Sequence, residues 1–336
     1  MVEPIHVDEK LAVSPMPSEE EVPRLAREYR LVVVLADEYE LDYDLGLWYD
    51  YDAEVIHIPV PDLRAPPIPS VYATVERIVG FKGRVLVHCV GGRGRSGTFA
   101  AAYLMRRYGL GAREAIEAVR RVVPGAVETR AQEVFLHVYR RVLEALDAAE
   151  MSVVRRLGER YDWGRGEMHA SYVAMHAARL YEQLGGLLGL GGEALKPLIV
   201  GSLLHDIGLA RGEPHNEHSY ELILGSEELD ALGAEVKRLA ALVALHHRGR
   251  VDPRSDPRCG DAGDLVARLA AIVKVADALD RSLWQVVEDV EVVVEEGVAR
   301  LLVQCIGDCG AELERVGEKA WLLEELLGVQ LEAERV

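Results

Sequence analysis

The sequence of 336 residues has no run of 18 apolar residues, which excludes a membrane-spanning helix. Its opening stretch, MVEPIHVDEK, lacks a basic region followed by an apolar one, so no secretory signal is expected and a cytoplasmic location follows. Cysteine is scarce: four in a chain this long exclude a disulfide framework. Cys305 and Cys309 have no second ligand pair nearby and are not read as a zinc site. With Cys259 they are expected to be buried thiols, or to include one disulfide if the source is a hyperthermophile. Asparagine occurs once, glutamine five times, and lysine six times against 32 arginines. Few thermolabile residues and many charges suit a thermophile. Positive charge is in deficit throughout, with a net charge of −18. That argues against a nucleic-acid partner or an anionic membrane surface. A phosphorylated ligand must then be held by local cations, loop amides or metals.

The length suggests two domains, expected over residues 1–150 and 151–336, and an apolar fraction of 49% suffices for two cores. The first domain is expected to be α/β, a mostly parallel sheet flanked by helices. Apolar strands at 31–36, 54–60 and 85–87 alternate with helical patterns at 18–29, 68–79, 98–108, 112–123 and 129–147. From 151 to about 282 the pattern is almost wholly helical. Two strands over 288–307, joined by a turn at Glu296-Gly297, and a helix over 312–327 complete a mainly α-helical second domain.

The most informative stretch is RVLVHCVGGRGRSGT at 84–98. Here a strand runs into a glycine-rich loop and then a helix, a geometry that turns backbone N–H groups and the positive helix end onto an anion. Cys89 is placed as the nucleophile, its thiolate favoured by those N–H groups and by Arg95. Arg95 would bind two equatorial phosphoryl oxygens, and Ser96 could donate to the thiolate as it leaves. His88, Val90, Gly91, Gly92, Arg93 and Gly94 complete the phosphate cradle, with His88 orienting the loop. Asp62, in PVPDLRAPP after the strand at 54–60, falls on the same sheet edge and is placed as the general acid. A buried structural cysteine and a turn-capping aspartate are the bland alternatives.

The second half carries an ordered set of histidines and aspartates: His169, the adjacent His205 and Asp206, and Asp277, all on helical segments. Imidazole and carboxylate together suit a divalent metal (Mn, Fe, Mg or Zn) with open positions, and His218 and His247 could complete a second metal position. Singly, a histidine on an apolar helix reads as a core residue, and His176 is left as one.

HCVGGRGRSGT resembles the signature loop of the protein-tyrosine/dual-specificity phosphatases, and residues 10–147 look like that compact domain, which works without a cofactor. The resemblance implies the same roles for Cys89, Arg95, Asp62 and Ser96, and points to Gln132 as a water-positioning residue. The absence of a long insert favours the dual-specificity type, acting on phosphotyrosine or phosphoserine/threonine protein. Arg93, a second loop cation, keeps inositol or nucleotide phosphates as the alternative. The set H…HD…D resembles the HD phosphohydrolase superfamily. More narrowly, 160–330 looks like the C-terminal region of the exopolyphosphatase/guanosine pentaphosphatase family, through SLLHDIG, HNEHSYELI, LVALHHRG and KVADALDRS. That resemblance implies metal ligation by His169, His205, Asp206 and Asp277, with His218 and His247 as further ligands and Arg248 and Arg281 on substrate phosphates. The expected partners are phosphorylated proteins or small phosphates, and a homo-oligomer is compatible with the sequence. The second half reads either as a second hydrolase or as a ligand-sensing or oligomerisation module without turnover.

Overall fold

The computed structural model describes residues 2–295 and 297–336, and the chain divides into two units, the first ending at Leu143 and the second running from Glu144 to Val336. In the first, strands Ile5–His6 (β1), Leu11–Ser14 (β2), Tyr29–Val34 (β3), Glu54–His57 (β4) and Arg84–His88 (β5) form a sheet ordered β1-β2-β5-β3-β4. All neighbouring pairs are parallel except β1 with β2. Near-continuous Val and Leu runs are buried in β2, β3 and β5, as parallel strands covered on both faces require. Helices Val22–Glu28 (α1), Ile68–Gly80 (α2), Gly94–Tyr108 (α3), Ala112–Val122 (α4) and Arg130–Ala145 (α5) accompany the sheet. The expected helix at 18–29 is shortened at both ends: Glu19–Glu21 form a 3-10 turn before α1, and Tyr29 already belongs to β3.

The second unit is helical over Ala148–Arg160 (α6), Glu167–Leu184 (α7), Leu195–Leu204 (α8), His215–Gly225 (α9), Ala234–His246 (α10) and Gly263–Ala278 (α11). The expected pair of strands is present as Val287–Glu295 (β6) and Val298–Cys305 (β7), antiparallel to each other. Of the expected turn at Glu296-Gly297, Glu296 lies outside the described residues. The expected final helix is two, Gly310–Lys319 (α12) and Trp321–Leu327 (α13). After Gly328, in the left-handed conformation, Gln330–Arg335 (β8) pairs in parallel with β7. Only Leu331 of β8 is buried, so its sequence carries little strand signal. Cys305 and Cys309 form a disulfide, while Cys89 and Cys259 are free. Residues of α7, α11, β6, β7, α12 and α13 share one apolar core. Among the described residues no helix is long and apolar enough to cross a membrane.

Candidate active sites

β5 delivers His88 to the carboxyl edge of its sheet, and Cys89 opens the loop that leads into α3. Gly92 has φ +72°, and a Cβ there would stand 2.5 Å from the Pro15 nitrogen. The exit of β2 can therefore close on the loop only because residue 92 is glycine. The Met16 N–H donates to the Val90 carbonyl (3.0 Å) and ties the two segments together. Within the loop, the Gly92 N–H donates to Cys89 Sγ at 3.2 Å, and Cys89 itself is buried.

Arg95, in the first turn of α3, is only 2% exposed. Its Nη1 donates to the Val60 carbonyl (2.8 Å), and both terminal nitrogens pair with Glu40, Nη2 at 3.0 Å from Oε1. Burial would push the Glu40 carboxyl up, but the bonds from Arg95 hold it below the ordinary range. Asp62 Oδ1 lies 3.2 Å from Arg95 Nη2, and Asp62 is 63% exposed. Below the loop, Trp48 Nε1 donates to the Tyr43 hydroxyl (3.1 Å), which donates to His88 Nε2 (2.7 Å). His88 Nδ1 then donates to the Cys89 carbonyl (3.2 Å). Burial pushes the His88 imidazole down to about 4, so it is neutral at neutral pH. Ser96 Oγ is buried without a hydrogen-bond partner. The Gln132 amide accepts from the Glu128 N–H (2.8 Å) and donates to the Arg64 carbonyl (3.2 Å). A Cβ at Gly94 would meet Gln132 Nε2 at 3.1 Å, which places Gln132 against the cradle.

In the second unit, helix ends converge on one cavity of about 220 Å³. His169 lies in the first turn of α7, His205 and Asp206 follow α8, His215 opens α9, His247 follows α10, and Asp277 sits in the last turn of α11. His169 Nε2 stands 3.5 Å from Asp277 Oδ1 and 3.7 Å from Asp206 Oδ2. His205 Nε2 stands 3.7 and 3.5 Å from the same two oxygens. The other Asp206 oxygen lies 3.1 Å from His215 Nε2 and 3.5 Å from His247 Nε2. Gly164, with φ +79°, lets the chain pass so close to Asp206 that a Cβ would stand 2.0 Å from its carbonyl oxygen.

The tautomers follow from the partners. His169 Nδ1 donates to Asp280 (2.8 Å), His205 Nδ1 to the Ser202 carbonyl (2.7 Å) and His247 Nδ1 to the Ala244 carbonyl (2.6 Å). The Nε2 atoms are therefore left facing the carboxylates of Asp206 and Asp277, and those of His169 and His205 are buried with no hydrogen-bond partner. Imidazole nitrogens and carboxylate oxygens packed this closely suit a cation, beside which Arg165 Nε also pairs with Asp206 Oδ2 at 2.8 Å. Burial alone would lower the His169 imidazole, but the carboxylates of Asp277 and Asp280 beside it raise it to about 9, so an ion there would take the place of the Nε2 proton. Asp206 and Asp277 are held well below the usual carboxylate range despite their burial, Asp206 chiefly by His205 and His215 and Asp277 chiefly by Lys319 and His169. His169, His205 and Asp277 form one possible metal-holding group and His205, Asp206 and His247 another. The residues present fit a divalent ion.

Compared with known proteins, residues 6–136 match the Swiss Army Knife protein DSP-PTPase phosphatase domain, and residues 167–282 match the HD domain. The chain joins a DSP-PTPase phosphatase domain to an HD domain. Among curated relatives of the phosphatase domain, cyclin-dependent kinase inhibitor 3 of Mus musculus is 31% identical over 121 residues, covering 35% of this chain and 57% of that protein. Phosphatidylglycerophosphate phosphatase PTPMT2 of Arabidopsis thaliana is 34% identical over 125 residues, covering 35% and 54%. The chain thus spans little more than half the length of these relatives. Tk-PTP, solved in its active form, is 42% identical, covering 41% of this chain and 95% of its own, with a TM-score of 0.39.

Within the phosphatase domain, Asp62, Cys89, Arg95, Ser96 and Gln132 all lie at or against one loop. Val90 and Arg93 face outward, Val90 being 42% exposed. Glu40, which grips Arg95, went unread because EYE in an acidic stretch looks like solvated surface. In the HD domain, His218 is corrected. It lies apart from both clusters, with Nδ1 3.7 Å from Glu221 Oε2, and His215 occupies the place expected for it. Both belong to HNEH at the start of α9, where three residues move a side chain nearly a full turn, and the start residue of a helix cannot be read to that accuracy. Arg248 pairs with Glu213 at the cavity wall (2.9 Å), and Arg281 lines the same cavity. Asp280, Arg165, Arg315 and Lys319 also reach it and were not foreseen.

Proposed function

We propose that the protein hydrolyses phosphomonoesters through a phosphocysteine intermediate, and that its HD domain is a second, metal-dependent phosphohydrolase. One observation carries the first reading: Cys89 Sγ, the loop N–H of Gly92, Arg95 and Asp62 converge on a single cradle. In the first step Cys89 Sγ attacks phosphorus and the ester P–O bond breaks. Asp62, exposed at the rim, supplies the proton that the leaving oxygen takes. Arg95 and the loop amides bear the charge spread over the equatorial oxygens, with Glu40 and the Val60 carbonyl holding the guanidinium in place. In the second step water attacks the phosphocysteine and gives its proton to the Asp62 carboxylate as the P–S bond breaks; Gln132 lies beside the cradle to orient the water, and Ser96 Oγ donates to the departing sulfur. Protein phosphotyrosine or phosphoserine/threonine is the substrate class favoured by the compact domain, and the name of the PTPMT2 relative makes a phospholipid headgroup the competing outcome.

For the HD domain, His169, His205, Asp206 and Asp277 would hold one ion, with His215 and His247 offering a second position on Asp206. When bound, such an ion supplies Lewis acidity to a phosphoryl group. Asp280 fixes the His169 ring, and Arg248 and Arg281 stand where a phosphate would be held.

Hydrolysis of an aryl phosphate by the full chain, with and without EDTA, tests the first reading. Cys89→Ser is expected to abolish it and EDTA to leave it intact. Retention of activity in Cys89→Ser would overturn the assignment. For the HD domain the expected result is Mn²⁺-dependent phosphate release that survives Cys89→Ser and is lost in Asp206→Ala. Metal uptake without turnover on a panel of phosphate compounds would make it a binding module.

A further inference from the structure

The HD match ends at residue 282, yet two cations of the metal-type cavity come from α12, more than 25 residues beyond it. We propose that Arg315 and Lys319 make the cavity a receptor for compact anions carrying at least two phosphates and no apolar group. The proposal rests on the phosphohydrolase reading of this site and names its ligand class.

The placement of α12 is built in. Glu312 and Val316 are buried one turn apart, and Glu312 Oε1 accepts the Ser282 N–H (2.8 Å), fastening the helix beside the end of α11. The Cys305–Cys309 disulfide anchors its first turn. With that face packed inward, the neighbouring pair Arg315 and Lys319, also one turn apart, falls on the cavity. Lys319 Nζ pairs with the Asp277 oxygen Oδ2, turned away from His169 and His205. It therefore borders the first ligand group from outside. Arg248, on the Glu213 side, borders the second.

Charge and lining select the ligand. One phosphoryl group at the ligand cluster would be served by the ions there, leaving Arg281, together with Arg315 and Lys319 resting on Glu318 and Asp277, to meet a further anion. Their natural counterpart is a second phosphate beyond the first. Among the described residues the cavity is lined only by arginine, lysine, histidine, aspartate and glutamate. An acyl chain has nothing there to bury against, and a nucleobase would meet only guanidinium and imidazole groups that the phosphates and ions already engage.

Calorimetric titration of full-length Cys89→Ser protein, with and without Mn²⁺, tests this using methylenebisphosphonate, which resists hydrolysis, against inorganic phosphate and adenosine diphosphate. The bisphosphonate is expected to bind at least about tenfold more tightly than phosphate, and adenosine diphosphate no more tightly than the bisphosphonate. Arg315→Gln, which touches no metal ligand, is expected to lose about tenfold for the bisphosphonate while phosphate affinity and Mn²⁺ uptake stay unchanged. Lys319→Met provides a second variant with the same expected preference loss. Equal affinity for the two anions, a parallel loss of both in Arg315→Gln, or tighter binding of the nucleotide would each overturn the proposal. Should the protein take up no Mn²⁺, or bind without turnover, the hydrolase reading fails while the bisphosphonate preference and its dependence on Arg315 are still read directly.

Discussion

The Nε2 atoms of His215 and His247 face each other at 3.3 Å beside one oxygen of Asp206, whose other oxygen faces His169 and His205. One carboxylate thus serves two histidine pairs, an arrangement that suits a second cation. His215→Ala is expected to lower the bound metal, measured by elemental analysis, while His218→Ala retains it. Asp280→Asn, which loosens the His169 ring, should weaken metal affinity about 10–100-fold. Metal loss in His218→Ala with retention in His215→Ala would reverse the ligand assignment.

At the phosphatase site, Asp62→Asn is expected to lower kcat about 10²–10⁴-fold for an ester with a poor leaving group. A substrate such as p-nitrophenyl phosphate, whose leaving group needs no proton, should suffer much less. Equal losses on both would place the acid elsewhere.

Glu40 is a positioning residue, since it touches Arg95 and not the reacting atoms. Glu40→Gln should weaken binding of vanadate, a phosphate mimic, by about tenfold while the pH dependence of kcat keeps its shape. Unchanged vanadate affinity would show that Val60 alone suffices to hold Arg95.

Burial pushes His88 and His176 each down to about 4, so the unfolded chain binds their protons first as pH falls. Their contribution to stability is complete above the ordinary value near 6.5 and is lost as pH falls toward 4, by up to roughly 3 kcal/mol for each. Urea unfolding of full-length protein across that window should show the loss, and His88→Gln should make it shallower. A slope identical to wild type would mean that His88 does not carry it.

The Cys305–Cys309 disulfide closes a loop of five residues at the start of α12. Chain entropy assigns such a closure about 2 kcal/mol. Unfolding of the second unit with and without reductant should differ by about that amount, and Cys305→Ser should remove the difference.

Much of this protein was legible before folding because its signals are local. A cysteine, glycines and an arginine within seven residues define a phosphate cradle wherever the strand before them goes. Val and Leu runs of strand length must be buried on both faces, so the alternation of strands and helices could be read along the chain. The ordered His and Asp residues marked the second half as a metal-type site. What depended on distance in the chain was not legible. Glu40 is 55 residues from Arg95, and Asp280 is 111 from His169. Lys319 lies 42 residues beyond the aspartate it meets. Choosing His215 over His218 needed the start of one helix to within a residue, which only packing against its neighbours sets. Local backbone chemistry therefore determined which groups could react. Tertiary packing, by bringing remote carboxylates and cations to those groups, decided which of them are held in place and which charges line the second cavity.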